Sequence, residues 1–179
     1  MTKIFSFDAE TNGLWGQPFA VAAIYYEGCD ETDRFIGRCP IEEEVNEWVA
    51  QNVLPQMESI DISHGTYDAL LKDFSDYYIE KAKNLGSLVI AHMATPVESG
   101  LIKDMHDRGY IGDFDGPYPL IDLSASLLQI NEDPTSVDSY AKKYGITVSP
   151  EDYAGGTHNP LYDSAQTAVV FQHLSKFRR

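Results

Sequence analysis

The order in which β-rich and helix-spaced segments follow one another constrains this chain more than any other feature. Lys3-Ile-Phe-Ser-Phe-Asp8 alternates, is rich in β-formers and ends at an acid, which predicts a strand over residues 3–8. Residues 19–26 are a largely apolar run and predict a second strand; residues 33–38, after the turn around Gly28, predict a third. Beyond residue 40 the apolar spacing turns helical. Val45, Trp48 and Val49 predict a helix over 42–51, ended by Pro55. Leu70, Leu71, Phe74, Tyr77 and Tyr78 predict another over 66–84, with Gly86 just past its end. Leu88-Val-Ile-Ala91 is short, apolar and without alternation, which suits a central strand covered on both faces.

The rest continues in that manner. A helix is predicted over 97–108, stopped by Gly109, and then a Gly/Pro/Asp loop over 112–119. Leu120-Ile121 reads as a short strand, and Asp122 as the N-cap of a helix through Leu128. Residues 135–144 read as a short helix closed by Gly145, and 147–157 as irregular. Asn159-Pro160 pairs a capping residue with proline at the first helical position. It opens a last helix to about Ser175, with Leu161, Ala165, Ala168, Val169 and Leu174 available for burial. Three strands, then helices alternating with strands, indicate an α/β sandwich on a mixed sheet. No repeat or linker interrupts the 179 residues, so a single domain over 1–179 is expected.

Charge narrows the partners. Thirteen Lys and Arg stand against 28 Asp and Glu, a formal net charge of −15. A surface of that sign repels polyanions at long range, and a broad grip on a duplex requires clustered cations. The nearest approach to a basic cluster is Lys176, Arg178 and Arg179. Any dealings with nucleic acid are therefore expected to be local, with bound cations supplying positive charge. Cys29 and Cys39 flank residues 30–38, where a hairpin can bring them face to face, but two thiols make no disulfide framework. The N-terminus meets an acid too early for a signal peptide, and no apolar run reaches the ~18 residues of a membrane span. The expectation is a soluble, reduced, cytoplasmic protein without membrane contact.

Two acidic motifs carry the chemistry. Asp8-Ala-Glu10-Thr11 closes the first strand, where residues two apart point to the same side, so both carboxylates can reach one cation. Alone it is weak, because a D-x-E arises about once by chance in so acidic a chain. His158-Asn-Pro-Leu-Tyr-Asp163 opens the last helix, with the acid in the first turn, where the helix dipole favours it. Asp113-Phe-Asp115-Gly116 has part of a calcium-loop pattern without its downstream ligands, and reads as a turn. His64, His106 and His173 have no ligand-like partners at useful spacing.

Taken together, D-x-E-T after the first strand and H-x4-D opening the last helix resemble the DEDDh exonucleases, the DnaQ-like members of the RNase H-like superfamily that include RNase T and oligoribonuclease. The segment between is also similar, through Ala91-His92, Ile121-Asp-Leu123 and the helical Ser139-Tyr-Ala-Lys-Lys-Tyr-Gly145. Asn159 stands where the Tyr subtype carries its tyrosine, so the His subtype is the better match. Pro160 replaces the usual alanine, and the second motif departs further: where the family carries Asp, the nearest acid is Glu98. Asp104, six residues on, faces elsewhere around a helix.

The resemblance implies an RNase H-like mixed sheet flanked by helices, and a metal-dependent 3′-to-5′ exonuclease releasing nucleoside 5′-monophosphates from RNA or single-stranded DNA; the compact chain without a basic tail favours RNA or short oligonucleotides. It implies two Mg²⁺ or Mn²⁺ ions on Asp8, Glu10, Glu98 and Asp163, with Asp8 bridging, Glu98 acting through water, and His158 as general base. It places Thr11, Asn12, Gly13, Leu14 and Trp15 at the terminal nucleotide, through backbone amides and by packing on the base. A homodimer fits small relatives that act alone. Two other readings stay open on the residues: a non-catalytic RNase H-like binding or regulatory module, favoured by Glu98, and a phosphodiesterase for dinucleotides.

Overall fold

The computed structural model describes residues 1–176, so Arg178 and Arg179 of the basic terminal group lie outside the described residues. Five strands form one sheet: β1 Lys3–Thr11, β2 Pro18–Glu27, β3 Asp30–Arg38, β4 Leu88–Ala91 and β5 Leu120–Asp122. Their order is β3-β2-β1-β4-β5, with β1/β2 and β2/β3 antiparallel and β1/β4 and β4/β5 parallel. The helices are α1 Glu47–Asn52, α2 Tyr67–Tyr78, α3 Val97–Asp107, α4 Leu123–Gln129, α5 Val137–Tyr144 and α6 Pro160–Lys176. This is the mixed sheet with three N-terminal antiparallel strands and flanking helices that the sequence leads one to expect.

Strand alternation divides the core in two. Phe5, Phe7 and Ala9 of β1 face α1, α2 and α3, among Val49, Phe74, Leu101 and Met105. Ile4 of β1 and Ala22 and Ile24 of β2 face α4, α5 and α6, among Leu127, Ala141, Ala165 and Ala168. Both faces are dry, which is why β2 is buried at every residue but its last. Each large side chain so buried contributes roughly 1.5–3 kcal/mol. Gly37 lets α2 come close to β3: a Cβ there would sit 2.4 Å from Leu70 Cδ1.

Three elements differ from the sequence expectation. Strand β3 begins at Asp30 rather than residue 33, because a tight turn at Gly28-Cys29 pairs Glu27 with Asp30. Helix α1 runs over 47–52 rather than the expected 42–51: the Asn46 side chain accepts the Trp48 and Val49 amides and starts the helix late. Helix α2 keeps regular geometry to Tyr78 and widens into a π turn, Ile79–Lys83. The two cysteines are free, Cys29 exposed in the β2–β3 turn and Cys39 buried beyond the far end of β3, so they do not face each other. Among the described residues no helix is long and apolar enough to cross a membrane.

Candidate active site

The even-numbered residues of β1 point toward α6, and near the strand's carboxyl end they change from Ile4 to Asp8 and Glu10. Helix α6 brings Asp163 in its first turn against that end. Carboxylate oxygens of Asp8, Glu10 and Asp163 lie within 4.8 Å of one another. The cluster sits at the carboxyl end of β1, beyond its last pairing with the parallel strand β4, near where open α/β sheets place their ligands.

Glu98 arrives from the other face of the sheet, on the first turn of α3. Strand β4 pairs with β1 only at Ile4, Phe5 and Ser6. Past that ladder, Glu98 Oε1 accepts the Ala9 amide at 3.3 Å. Only 3% of Glu98 is exposed, so it is a buried acid beside the three and not a solvated one. Asp104, on the same helix, accepts the Tyr67 hydroxyl at 2.7 Å and takes no part.

Four carboxylates in one partly dry place repel one another. Burial, then Glu98, Asp163 and Glu10, hold Asp8 well above the usual carboxylate range. Burial, then Asp163 and Glu98, do the same to Glu10. Burial pushes Glu98 up to about 8, against the pull of its own amide and that of Ala9. Burial pushes Asp163 to about 8 as well, opposed by the His158 amide and reinforced by Asp138. An all-oxygen donor set that resists ionising alone suits a hard divalent cation, which supplies the missing positive charge.

His158 sits at the mouth of this cluster with a left-handed backbone, φ 67°. Its amide donates to Asp163 Oδ2 at 2.9 Å, and its Nδ1 lies 3.9 Å from Glu10 Oε1. Trp48 of α1 meets the imidazole edge to face, ring centroids 5.5 Å apart. Burial lowers the His158 pKa below its ordinary value, so the ring is neutral and able to accept a proton. Asn159 Oδ1 accepts the Leu161 amide at 3.0 Å, the capping role expected of it.

Two clefts meet at His158. One is lined by Asp8, Thr135, Asp138, His158, Asp163 and Thr167, the other by Glu10, Leu14, Trp48, Val49, Val97 and His158. They measure about 250 and 390 Å³. Leu14 and Trp15 project outward, 61% and 83% exposed. Asn12 and Gly13 behave otherwise than expected. The Asn12 amide donates to Gln17 O and the Gly13 amide to Thr11 O, at 3.0 and 2.8 Å. The Asn12 side chain bonds the Asn46 amide and the Glu44 carbonyl. These groups shape the loop and tie it to α1, so those two amides are not open to a ligand. Thr11 lines both the Trp48 cleft and the groove beside Trp15.

The sequence missed Trp48, Asp138 and Asp122 as neighbours of the site. Trp48 reads as one apolar residue of α1 and lies 110 positions from His158. Asp122 caps α4 through Ser124, as expected, and also accepts the Met93 and Ala94 amides, 3.2 Å each, fixing the turn before α3. His64 pairs with Asp73, His106 with Asp113 and Asp107, and His173 with the Tyr140 hydroxyl, and among the described residues none of the three joins a metal-ligating group. Asp115 accepts the Gly112 amide within the expected turn.

No protein-family model matches the sequence, and no curated protein matches it. Solved structures do match its fold. One is exonuclease X in complex with 5′-overhanging duplex DNA, with a TM-score of 0.65 at 17% identity over 99% of this chain and 93% of that one. A second is a moderately thermophilic exonuclease I from Methylocaldum szegediense, TM-score 0.68 at 13% identity over 99% of this chain and 41% of that one. A third is a 3′-exonuclease recognising a histone mRNA stem-loop, TM-score 0.68 at 16% identity over 98% of this chain and 64% of that one. At such identities the likeness establishes the fold, and the chain spans about two fifths and two thirds of the latter two.

Proposed function

We propose that this chain is a metal-dependent 3′-to-5′ exonuclease of the DEDDh type, acting on single-stranded ends of RNA or DNA and releasing nucleoside 5′-monophosphates. The observation that carries the reading is the convergence of Asp8, Glu10 and Asp163 within one coordination sphere, with a buried Glu98 behind them and an imidazole at the rim. The exonucleases among its structural neighbours support it. One of those is described on a DNA duplex with an overhang and another on an RNA stem-loop, so both polymers remain in the proposal. A compact chain of net charge −15 offers little to hold a long duplex, which favours RNA or short oligonucleotides over long DNA duplexes and leaves single-stranded DNA open.

Asp8, Glu10 and Asp163 would hold Mg²⁺ or Mn²⁺, and Glu98 would serve a second ion through water. Two such ions supply neutralisation of the phosphate, acidification of water and stabilisation of the leaving oxygen. The chain does the rest. His158 stands at the rim, where it can take a proton from the attacking water. Trp48 and Leu14, facing one cleft beside it, offer an apolar surface to a base, and such stacking tolerates any sequence. The acids repel a phosphate when bare, which makes substrate binding conditional on the cations.

The test is a degradation panel of matched RNA and DNA oligomers, single- and double-stranded, with Mn²⁺. Mononucleotide release by the wild type that Asp8→Ala abolishes is expected. Release that persists in Asp8→Ala sinks the reading.

A further inference from the structure

Asp138 stands outside the acidic quartet and yet lines the same cleft as Asp8, His158 and Asp163. It lies in the first turn of α5. Both its oxygens are engaged by hydroxyls. Oδ2 accepts from Thr157 at 2.7 Å, and Oδ1 accepts from Tyr162 at 3.3 Å. Thr157 immediately precedes His158, and Tyr162 immediately precedes Asp163. One carboxylate thus holds the chain at both ends of the last motif, just before the imidazole and just before the acid.

The segment before His158 needs holding. Ala154 and His158 have φ of 61° and 67°, and Gly155 has 147°. Left-handed geometry at non-glycine residues persists only where the surroundings enforce it. The start of the segment is fixed by the Asn159 side chain and the Ser59 hydroxyl, both on the Ala154 carbonyl, and by the Gly155 amide on Pro150 O. At its other end the ties are the Thr157 hydroxyl on Asp138 and the His158 amide on Asp163. A fifth acid beside four repelling ones is electrostatically unfavourable. A carboxylate has the acceptor capacity to receive two hydroxyls at once, which accounts for an acid at this position.

We propose that Asp138 is a positioning residue: by holding Thr157 and Tyr162 it fixes His158 against the acid cluster. Its consequence for catalysis rests on the exonuclease reading; its consequence for the backbone does not. Misplacing a reacting group by about 1 Å costs on the order of 100-fold in rate, so the grip matters to turnover more than to binding.

Two measurements on the full chain test this, with Asp138→Ala and the isosteric Thr157→Val. The first is amide hydrogen exchange in chelator-treated protein. Both variants are expected to lose protection at the His158 amide by tenfold or more while the β1 and β2 amides keep theirs. Unchanged protection at His158 overturns the proposal. Thr157→Val keeps this arm decisive should Asp138→Ala fail to fold. The second is Mn²⁺-dependent mononucleotide release. Asp138→Ala is expected to lower kcat 10- to 100-fold with KM within threefold, and to add nothing in a His158→Ala background. A further tenfold loss in that background shows that Asp138 does not act through His158, and overturns it. A wild type that releases nothing, with the exchange result as expected, rejects the exonuclease reading and leaves the positioning role standing.

Discussion

Glu98 Oε1 accepts the Ala9 amide at 3.3 Å, so an acid from α3 completes the end of β1 where β4 has already stopped. The bond fixes the carboxylate behind Asp8 and gives it two separable roles, acceptor and charge. Glu98→Gln keeps the acceptor and removes the charge. In chelated protein at pH 8 that substitution should raise Tm, by about 2–4 °C for each kcal/mol of repulsion relieved. It should also weaken the Mn²⁺-induced thermal shift and slow turnover. Glu98→Ala loses both roles and should gain less Tm than Glu98→Gln. Full activity in Glu98→Ala removes the residue from the site.

Acidity makes a second prediction, whose sign follows from proton linkage. Asp163 is raised from 3.8 to about 8, and Glu98 from 4.5 to about 8. Between those limits the folded chain binds more protons than the unfolded one, so its stability falls as pH rises. Chelated protein should therefore lose Tm from about pH 4 to pH 8. A divalent cation must displace those protons, so its stabilisation should be slight at pH 5 and greatest near pH 8. Differential scanning fluorimetry with and without Mn²⁺ measures both; a shift of equal size at pH 5 and pH 8 contradicts the account.

The split between ligand and base makes a third. Asp163→Asn should abolish both mononucleotide release and the Mn²⁺ thermal shift. His158→Ala should keep the shift and lose release by about 10²- to 10⁴-fold, the usual contribution of a general base. Burial lowers the His158 pKa, which leaves the ring neutral further into acid. At Mn²⁺ concentrations that saturate the site at every pH, the acid limb of the kcat/KM profile should accordingly fall below the ordinary histidine value of 6.5. Equal loss of metal response in both variants would falsify the base assignment.

What the sequence made legible follows from how local each signal is. The pairing of Asp8 with Glu10 is written in strand alternation, and Asp163 follows from the proline-marked start of α6, so these acids were readable singly. Their convergence came from the family resemblance. Strand β2 was readable because both its faces are buried, whereas Asp30, Glu31 and Thr32 carry no strand signal and join β3 only because β2 lies beside them. The contacts of Trp48 with His158 and of Asp138 with Thr157 are long-range, and no spacing rule reaches them. Asn46 was a readable cap that the acidic stretch before it obscured. The amides of Asn12 and Gly13 were assigned to a ligand because a turn motif does not reveal that its own loop uses them.

Trp48 and Trp15 make the last prediction, because they stand on different surfaces. Trp48 shares a cleft with Leu14, Glu10 and His158, while Trp15 lines a smaller groove with Pro96, Gly100 and Lys103. On the proposed function, a terminal base within reach of His158 would lie against Trp48, and the next nucleotides would be the ones to meet Trp15. Stacking is worth about 1–3 kcal/mol per base, so Trp48→Ala should raise KM for a short oligomer roughly 5- to 150-fold. It should also lower kcat, because the imidazole loses the indole that its ring abuts. Trp15→Ala should leave kcat intact and raise KM for oligomers of several nucleotides more than for dinucleotides. The chain has two tryptophans, so the intrinsic fluorescence of each single variant reports the other site alone. A dinucleotide that quenches Trp15 but not Trp48 would reverse the assignment of the two surfaces.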